Sequence, residues 1–176
     1  MVKGKWVILG IQPLAFAMTP ITPILDALRQ PQSPDWQALL DQTLAAFDCT
    51  TGTLHFLDPA DGLLHLAAKT GIPEFLLPKM AVIPIGKGMA GIAAERREPV
   101  QVCNLQTDAS GVARPSAKDT QMEGSLAAPL LLDDHLYGTI GIAKPVPYEF
   151  SDEEIAALTR ISEAISRKRL ALTTAS

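Results

Sequence analysis

The feature that most restricts the fold is a pair of β-hairpin patterns, one in each half of the chain. In the first, residues 53–58 and 63–69 have strand composition and are joined by the turn sequence Pro-Ala-Asp-Gly. In the second, residues 125–132 and 136–144 surround the polar turn Asp-Asp-His. Strands joined by such short turns run antiparallel. The sequence therefore predicts an antiparallel sheet.

An amphipathic helix is predicted ahead of the first hairpin, over residues 34–47. Apolar side chains recur there at the spacing of a single helical face. They are Trp36, Leu39, Leu40, Thr43, Leu44 and Phe47. The pairs Ser33-Pro34 and Thr22-Pro23 each have the pattern of a cap followed by proline at the first helical position. Thr22-Pro23 is expected to begin at most one short helix.

A second amphipathic helix is predicted to begin at Ser151. Ser151 and Glu154 have the spacing of a capping box, and Phe150 fits the hydrophobic staple position before the cap. The apolar face consists of Ile155, Leu158, Ile161 and Ile165. One helix at each end of the chain can cover one face of the sheet.

The region between the hairpins is predicted to hold short elements and one long loop. In chain order these are a helix over 74–80, an edge strand over 81–85, a helix over 89–97 and a strand over 99–104. Residues 105–123 are polar and have no period. An aperiodic stretch of that length is uncommon in a compact domain and is often functional.

Composition argues against several classes of partner and site. The chain has 15 Lys and Arg against 19 Asp and Glu, a net charge of -4, so we expect no nucleic-acid partner. His55, His65 and His135 lie in separate parts of the sequence, and no third metal ligand is apparent beside any two of them. Cys49 and Cys103 lack the spacing of a zinc site. We therefore assign no metal ligands.

The N-terminal residues allow more than one interpretation. Lys3 and Lys5 precede an apolar run over 6–17 that ends in Ala-Phe-Ala, a sequence similar to a signal-peptidase site. Gln12 and Pro13 interrupt that run, which is shorter than the ~20 residues a membrane span needs. A signal-like leader and an extension ahead of Met18 both stay open, and no membrane span is predicted.

Gly86, Gly88 and Gly91 form a GxGxxG sequence, which can indicate a dinucleotide site. The following helix is too short for a βαβ crossover, and the next strand ends at Asn104 rather than at an acidic residue. These glycines are more typical of a tight turn and close helix–sheet packing.

Three segments in order resemble the GAF domain family. They are Gly-Lys-Gly-Met-Ala-Gly-Ile-Ala-Ala at 86–94 with Glu-Pro-Val-Gln-Val at 98–102, Ser-Leu-Ala-Ala-Pro-Leu at 125–130 with His-Leu-Tyr-Gly-Thr-Ile-Gly-Ile at 135–142, and Phe-Ser-Asp-Glu-Glu-Ile-Ala-Ala-Leu at 150–158. The resemblance implies an α+β fold of the GAF/PAS type. This fold has a six-stranded antiparallel sheet, terminal helices on one face, and short helices and loops over a ligand cavity on the other. We assign residues 33–170 to this domain, 1–32 to an extension and 171–176 to a tail.

The resemblance also implies a function. We expect a stand-alone, cytoplasmic, bacterial sensory or regulatory domain that binds a small molecule, mediates dimerisation in signalling, or does both. A pure dimerisation module without a ligand stays open, and the sequence names neither the small molecule nor a cofactor. We expect it to form homodimers through the terminal helices at 34–47 and 151–169. The residue set that marks cyclic-nucleotide binders is absent, as is the bilin-attachment context of phytochromes.

An enzyme or a thiol-based redox sensor on the same fold is the alternative. Some GAF proteins are free methionine-R-sulfoxide reductases with a cysteine in a glycine-rich turn, where this chain has Ala90. Reductase chemistry needs an attacking and a resolving thiol, and no cysteine follows Cys103. We therefore predict no complete catalytic set and no thiol-dependent reductase activity.

The candidate ligand site is the loop 105–123 with the strands and the helix beside it. Cys103 would face the cavity if Val100 and Val102 face the terminal helices. Arg114 is the expected anchor for an anionic group, because its planar guanidinium can bind a carboxylate or phosphate through two hydrogen bonds. The candidate residues are Met89, Cys103, Asp108, Arg114, Lys118, Asp119, Met122 and Ser125.

Overall fold

A computed structural model describes residues 20–175 of the chain. The apolar run and the signal-peptidase-like motif of residues 6–17 lie outside the described residues.

The sheet has six strands, all antiparallel, in the order β3-β2-β1-β6-β5-β4. The strands are β1 (Thr51–Asp58), β2 (Leu63–Thr70), β3 (Val82–Pro84), β4 (Val100–Val102), β5 (Gly124–Leu132) and β6 (His135–Lys144). Both predicted hairpins are present, as β1–β2 and β5–β6, and Pro84 lies in an edge strand as expected. The predicted antiparallel α+β fold is confirmed.

Six α-helices and one short 3-10 turn, Glu74–Leu76, accompany the sheet within residues 20–175. The helices are α1 (Thr22–Arg29), α2 (Trp36–Ala46), α3 (Leu77–Met80), α4 (Gly88–Arg96), α5 (Pro115–Lys118) and α6 (Asp152–Thr174). Two boundaries differ from expectation. The long loop contains α5, and α6 continues past residue 170 to Thr174.

The two faces of the sheet carry different layers, as the alternation along β5 shows. Leu126 and Ala128 are buried in the main core together with Leu158 and Ile161 of α6. Ala127 points to the opposite face, where it packs with Ala93 of α4. Side chains alternate between faces along a strand, so α2 and α6 cover one face and α4 covers the other.

The capping box of α6 is confirmed. The Ser151 hydroxyl accepts a hydrogen bond from the backbone N–H of Glu154, whose carboxylate accepts one from the N–H of Ser151. The predicted caps of the first two helices are wrong. Asp35 caps α2 because its carboxylate accepts hydrogen bonds from Gln37 N and Ala38 N, at 3.0 and 3.1 Å. Ile21 precedes α1 without a side-chain cap.

Gly138 allows β1 and β6 to approach closely at the centre of the sheet. Its φ is +153°, and a Cβ built on it would lie 2.0 Å from the carbonyl oxygen of His55. A side chain at this position would push the two strands apart. The neighbouring strand therefore packs directly against Gly138.

We predict that Ile161→Glu destabilises the fold itself. Ile161 is fully buried in the core between α6 and the sheet, so the change removes apolar contacts and buries a carboxylate without a partner. The expected loss is about 3–5 kcal/mol of unfolding free energy, measured by chemical denaturation. The matched control is Thr173→Glu at an exposed position of the same helix, expected to change stability by less than ~0.5 kcal/mol. Equal effects of the two changes would show that Ile161 does not contribute to this core.

Candidate functional site

A cavity lies on the sheet face opposite α2 and α6, and its floor is made of small residues. They come from three adjacent strands and are Thr51, Thr53, Ser125, Ala127, Gly141 and Ala143. On the other face, the same strands carry large apolar side chains such as Leu54, Leu126 and Ile140, all fully buried. The difference in size between the two faces leaves space above the floor and a filled core below it.

Short helices and loops form the walls of the cavity. They contribute Ile72, Lys79, Met80, Ile83, Lys87, Gly88, Met89, Ala90, Leu105, Arg114, Ser116, Ala117, Thr120 and Met122. The cavity volume is about 120 Å³. An engineered cavity of ~150 Å³ admits benzene, whereas drug-sized ligands occupy ~300–1,000 Å³. The space fits a small metabolite.

The charged residues that line the cavity are all cations. Lys79, Lys87 and Arg114, all exposed residues, line it from three separate segments, and within residues 20–175 no carboxylate is among its lining residues. The chain as a whole has a net charge of -4, so the cavity has the opposite sign to the molecule that contains it. Clustered positive charge in a concave, partly apolar site favours an anionic ligand.

Two threonines with low overall exposure contribute hydroxyl groups to the cavity floor. Thr51 is 5% exposed and Thr53 is 8% exposed, and both line the cavity. Neither side chain makes a hydrogen bond within residues 20–175, and neither hydroxyl is among the fully buried unpaired polar atoms of that range. They can therefore donate to or accept from a molecule in the cavity.

Gly88 fixes the course of the Arg114 side chain. Its φ is +65°, and a Cβ built on it would lie 2.8 Å from Cδ of Arg114. The aliphatic part of Arg114 thus lies against the first turn of α4. This contact holds the side chain, which begins in the long loop, at the rim of the cavity.

His55 connects the sheet to the wall that α3 forms. Its Nε2 lies 2.8 Å from the carbonyl oxygen of Met80 and so carries the proton of that hydrogen bond. Burial lowers the pKa of His55, which keeps the ring neutral at neutral pH. Nδ1 of His55 and Oγ1 of Thr139, its cross-strand neighbour, are buried and unpaired. His55 therefore acts as a positioning residue for Met80.

The structure brings together four of the eight candidate residues from the sequence. Met89, Arg114, Met122 and Ser125 all line the cavity. Lys118 and Asp119 are exposed and do not line it. Sequence reasoning missed Lys79, Lys87, Thr51 and Thr53. Small residues alternate with isoleucines along β6 from Thr139 to Ala143, and β1 pairs with this stretch, so that alternation is the signal that could have found the two threonines.

Cys103 and Asp108 lie in a different, shallow hollow beside β4. Cys103 was expected to face the cavity only if Val100 faced the terminal helices. That condition is not met, because Val100 packs with Ala93 on the α4 side of the sheet. Asp108 stabilises the loop that contains it and does not line the cavity. Its carboxylate accepts hydrogen bonds from Ser110 and from the N–H of Ala113, and those from Ser110 contribute most to lowering its pKa.

The two cysteines do not form a reactive pair in the cavity. Cys49 is buried in the main core, and burial raises the pKa of its thiol to about 12. It is therefore a thiol, not a thiolate nucleophile, at neutral pH. Cys103 is exposed, and neither cysteine lines the cavity.

Comparison with known proteins identifies the kind of domain that contains this cavity. The sequence model of the GAF domain matches residues 35–167. No curated protein sequence matches the chain significantly. Among residues 20–175, no helix is long and apolar enough to cross a bilayer.

Several solved structures share the fold at low sequence identity. The GAF domain of an Acinetobacter phosphoenolpyruvate-protein phosphotransferase has a TM-score of 0.71 at 15% identity, over 89% of this chain and 93% of that one. A free methionine-R-sulfoxide reductase from Neisseria meningitidis, solved with its substrate, has a TM-score of 0.69 at 19% identity, over 89% of each chain. The GAF domain of a Coxiella burnetii phosphoenolpyruvate-protein phosphotransferase has a TM-score of 0.67 at 21% identity, over 90% of this chain and all (100%) of that one.

Proposed function

This chain belongs to the GAF domain family, and we propose that it is a sensory or regulatory module that binds a small anionic molecule in the cavity over β1, β5 and β6. The observation that carries the proposal is the lining of that cavity. Three cations, two threonine hydroxyls and apolar walls surround a volume of about 120 Å³, and no carboxylate of residues 20–175 lines it. A cavity with apolar walls and a few polar anchors is the usual form of a small-molecule site.

The charges suggest how such a ligand would be oriented. Arg114 and Lys87 lie near the start of α4, so a carboxylate or phosphate group would bind at that end. The hydroxyls of Thr51 and Thr53 would then hydrogen-bond to polar atoms at the floor. The apolar side chains of Met89 and Met122 would cover the remaining part of the molecule.

We predict that Arg114→Ala weakens ligand binding by at least about tenfold, or about 1.4 kcal/mol, because it removes the guanidinium from the anionic end of the site. Native mass spectrometry of the purified protein would first detect a co-purified molecule. Thermal-shift screening against small carboxylates and phosphates would supply probes, and calorimetry would measure affinity. The matched control is Lys118→Ala, which removes a cation from the same loop but not from the cavity. Equal affinities of the parent and Arg114→Ala would contradict the role of Arg114.

A thiol-dependent enzyme is the alternative function, since structures of free methionine-R-sulfoxide reductases share the fold. We propose a binding role instead, because position 90 holds alanine and neither thiol lines the cavity. Incubation with free methionine-R-sulfoxide and a thioredoxin system should therefore give no turnover above that of the Cys103→Ser variant. Turnover that Cys103→Ser abolishes would replace the binding role with a catalytic one.

We further propose a homodimer through α2 and α6. The exposed stripe of α6 recurs at spacings of three and four residues and consists of Ala156, Arg160, Glu163, Arg167 and Leu170. Two antiparallel copies of this stripe can pair Arg160 of each chain with Glu163 of the other, which is self-complementary about a two-fold axis. The cytoplasmic location and bacterial origin expected from the sequence stay predictions.

Light scattering at high micromolar concentration should give twice the mass of one chain. Glu163→Arg should shift the protein toward the monomer, because it places like charges opposite one another. Glu163→Gln serves as the milder control. A monomeric parent protein at that concentration would contradict the dimer.

A further inference from the structure

A cluster of metal-ligating side chains lies at the β1–β2 turn, away from the cavity. It consists of Asp58 at the end of β1, Asp61 in the turn and His65 on β2. One donor atom from each residue lies within 4.8 Å of the other two. Nε2 of His65 is 2.8 Å from Oδ2 of Asp61, so the two side chains are in direct hydrogen-bond contact. Among residues 20–175, this is the one set of three such side chains that gathers in this way.

The strand register explains why these residues meet. Phe56 is paired with His65, and Asp58 is paired with Leu63. Asp58 and His65 are therefore diagonal neighbours on one face of the hairpin, within reach of each other's side chains. The turn then folds Asp61 back toward His65. Residues that are separated in sequence thus converge on one point.

Backbone hydrogen bonds hold one oxygen of each carboxylate. Oδ1 of Asp58 accepts from the N–H of Ala60 at 2.8 Å, and Oδ1 of Asp61 accepts from the N–H of Leu63 at 2.9 Å. Oδ2 of Asp61 faces His65, and a bound ion would replace the hydrogen bond between them. Hydrogen bonds that fix a ligand's orientation are a regular feature of metal sites.

We propose that Asp58, Asp61 and His65 form a binding site for a divalent transition-metal ion, with Zn²⁺ as the best-matched ion. An imidazole nitrogen with two carboxylate oxygens suits Zn²⁺ and its neighbours, whereas Mg²⁺ and Ca²⁺ prefer all-oxygen sites. Water completes the coordination, because Asp61 and His65 are 41% exposed. A bound ion would join β1 to β2 at their turn and stabilise the hairpin.

The second hairpin provides an internal comparison. Its turn also has two aspartates and a histidine, Asp133, Asp134 and His135. Both aspartates have positive φ, 48° and 60°, in a two-residue turn, and these three residues do not form a gathered set. The same residue types are therefore gathered as possible metal ligands in the first turn and are not gathered in the second, which serves as a matched control.

Calorimetric titration of the tag-free chain with Zn²⁺ tests the proposal, in a Cys103→Ser background that removes the exposed thiol as a competing ligand. We expect one Zn²⁺ per chain, no measurable Mg²⁺ binding, and a shift of the His65 ring signals in NMR spectra. His65→Ala and Asp58→Asn should each weaken Zn²⁺ binding by at least about tenfold, while His135→Ala should not change it.

Thermal unfolding gives a second readout, because an ion that binds only the folded state raises the melting temperature. Zn²⁺ should raise the melting temperature of the parent and of His135→Ala but not of His65→Ala. Circular dichroism would verify that His65→Ala is folded. The proposal is overturned if the parent binds no Zn²⁺ at millimolar concentration, or if His65→Ala binds it as tightly as the parent. The first of these outcomes would leave the His65–Asp61 contact as an ion pair only.

Discussion

The pairing of β1 with β6 is the interaction on which the rest of this structure depends. It joins two hairpins that lie far apart in sequence into one six-stranded sheet. The close approach at Gly138 makes the pairing possible. The cavity floor spans the same pair of strands, with Thr51 and Thr53 on β1 beside Gly141 and Ala143 on β6. Without this pairing neither the sheet nor the floor of the site would exist.

The two faces of that sheet differ, with a filled core on one and a cavity on the other. Large buried residues such as Leu54 and Ile140 pack against α2 and α6 and form the main core. Lys144 strengthens this side, since its buried Nζ donates to the carbonyl oxygens of Phe47 and Asp48 just after α2. Small residues occupy the other face and leave space. The cavity can therefore vary in lining without loss of the main core, because the residues that stabilise the sheet point away from it.

The electrostatic character of the cavity arises from the fold rather than from composition. The chain is mildly acidic, with a net charge of -4. Lys79, Lys87 and Arg114 nevertheless lie around one volume because α3, α4 and the long loop all cover the same sheet face. An anionic ligand would neutralise these charges. It would also link the elements that carry them, which gives a physical route from ligand binding to a change in stability or mobility of that wall.

The sequence by itself determined the two hairpins, the terminal helices and the capping box of α6. These features depend on contacts between residues close along the chain, namely turn residues, alternation and helical spacing. It did not determine the helix cap at Asp35, where a carboxylate beside Ser33-Pro34 proved the better acceptor. Only the tertiary structure decided which strands meet, which face Val100 occupies, and which candidates share a cavity. Arg114 lines it while Lys118, four residues away, does not. Such placements depend on packing between segments that are distant in the chain, and local sequence patterns do not predict that packing.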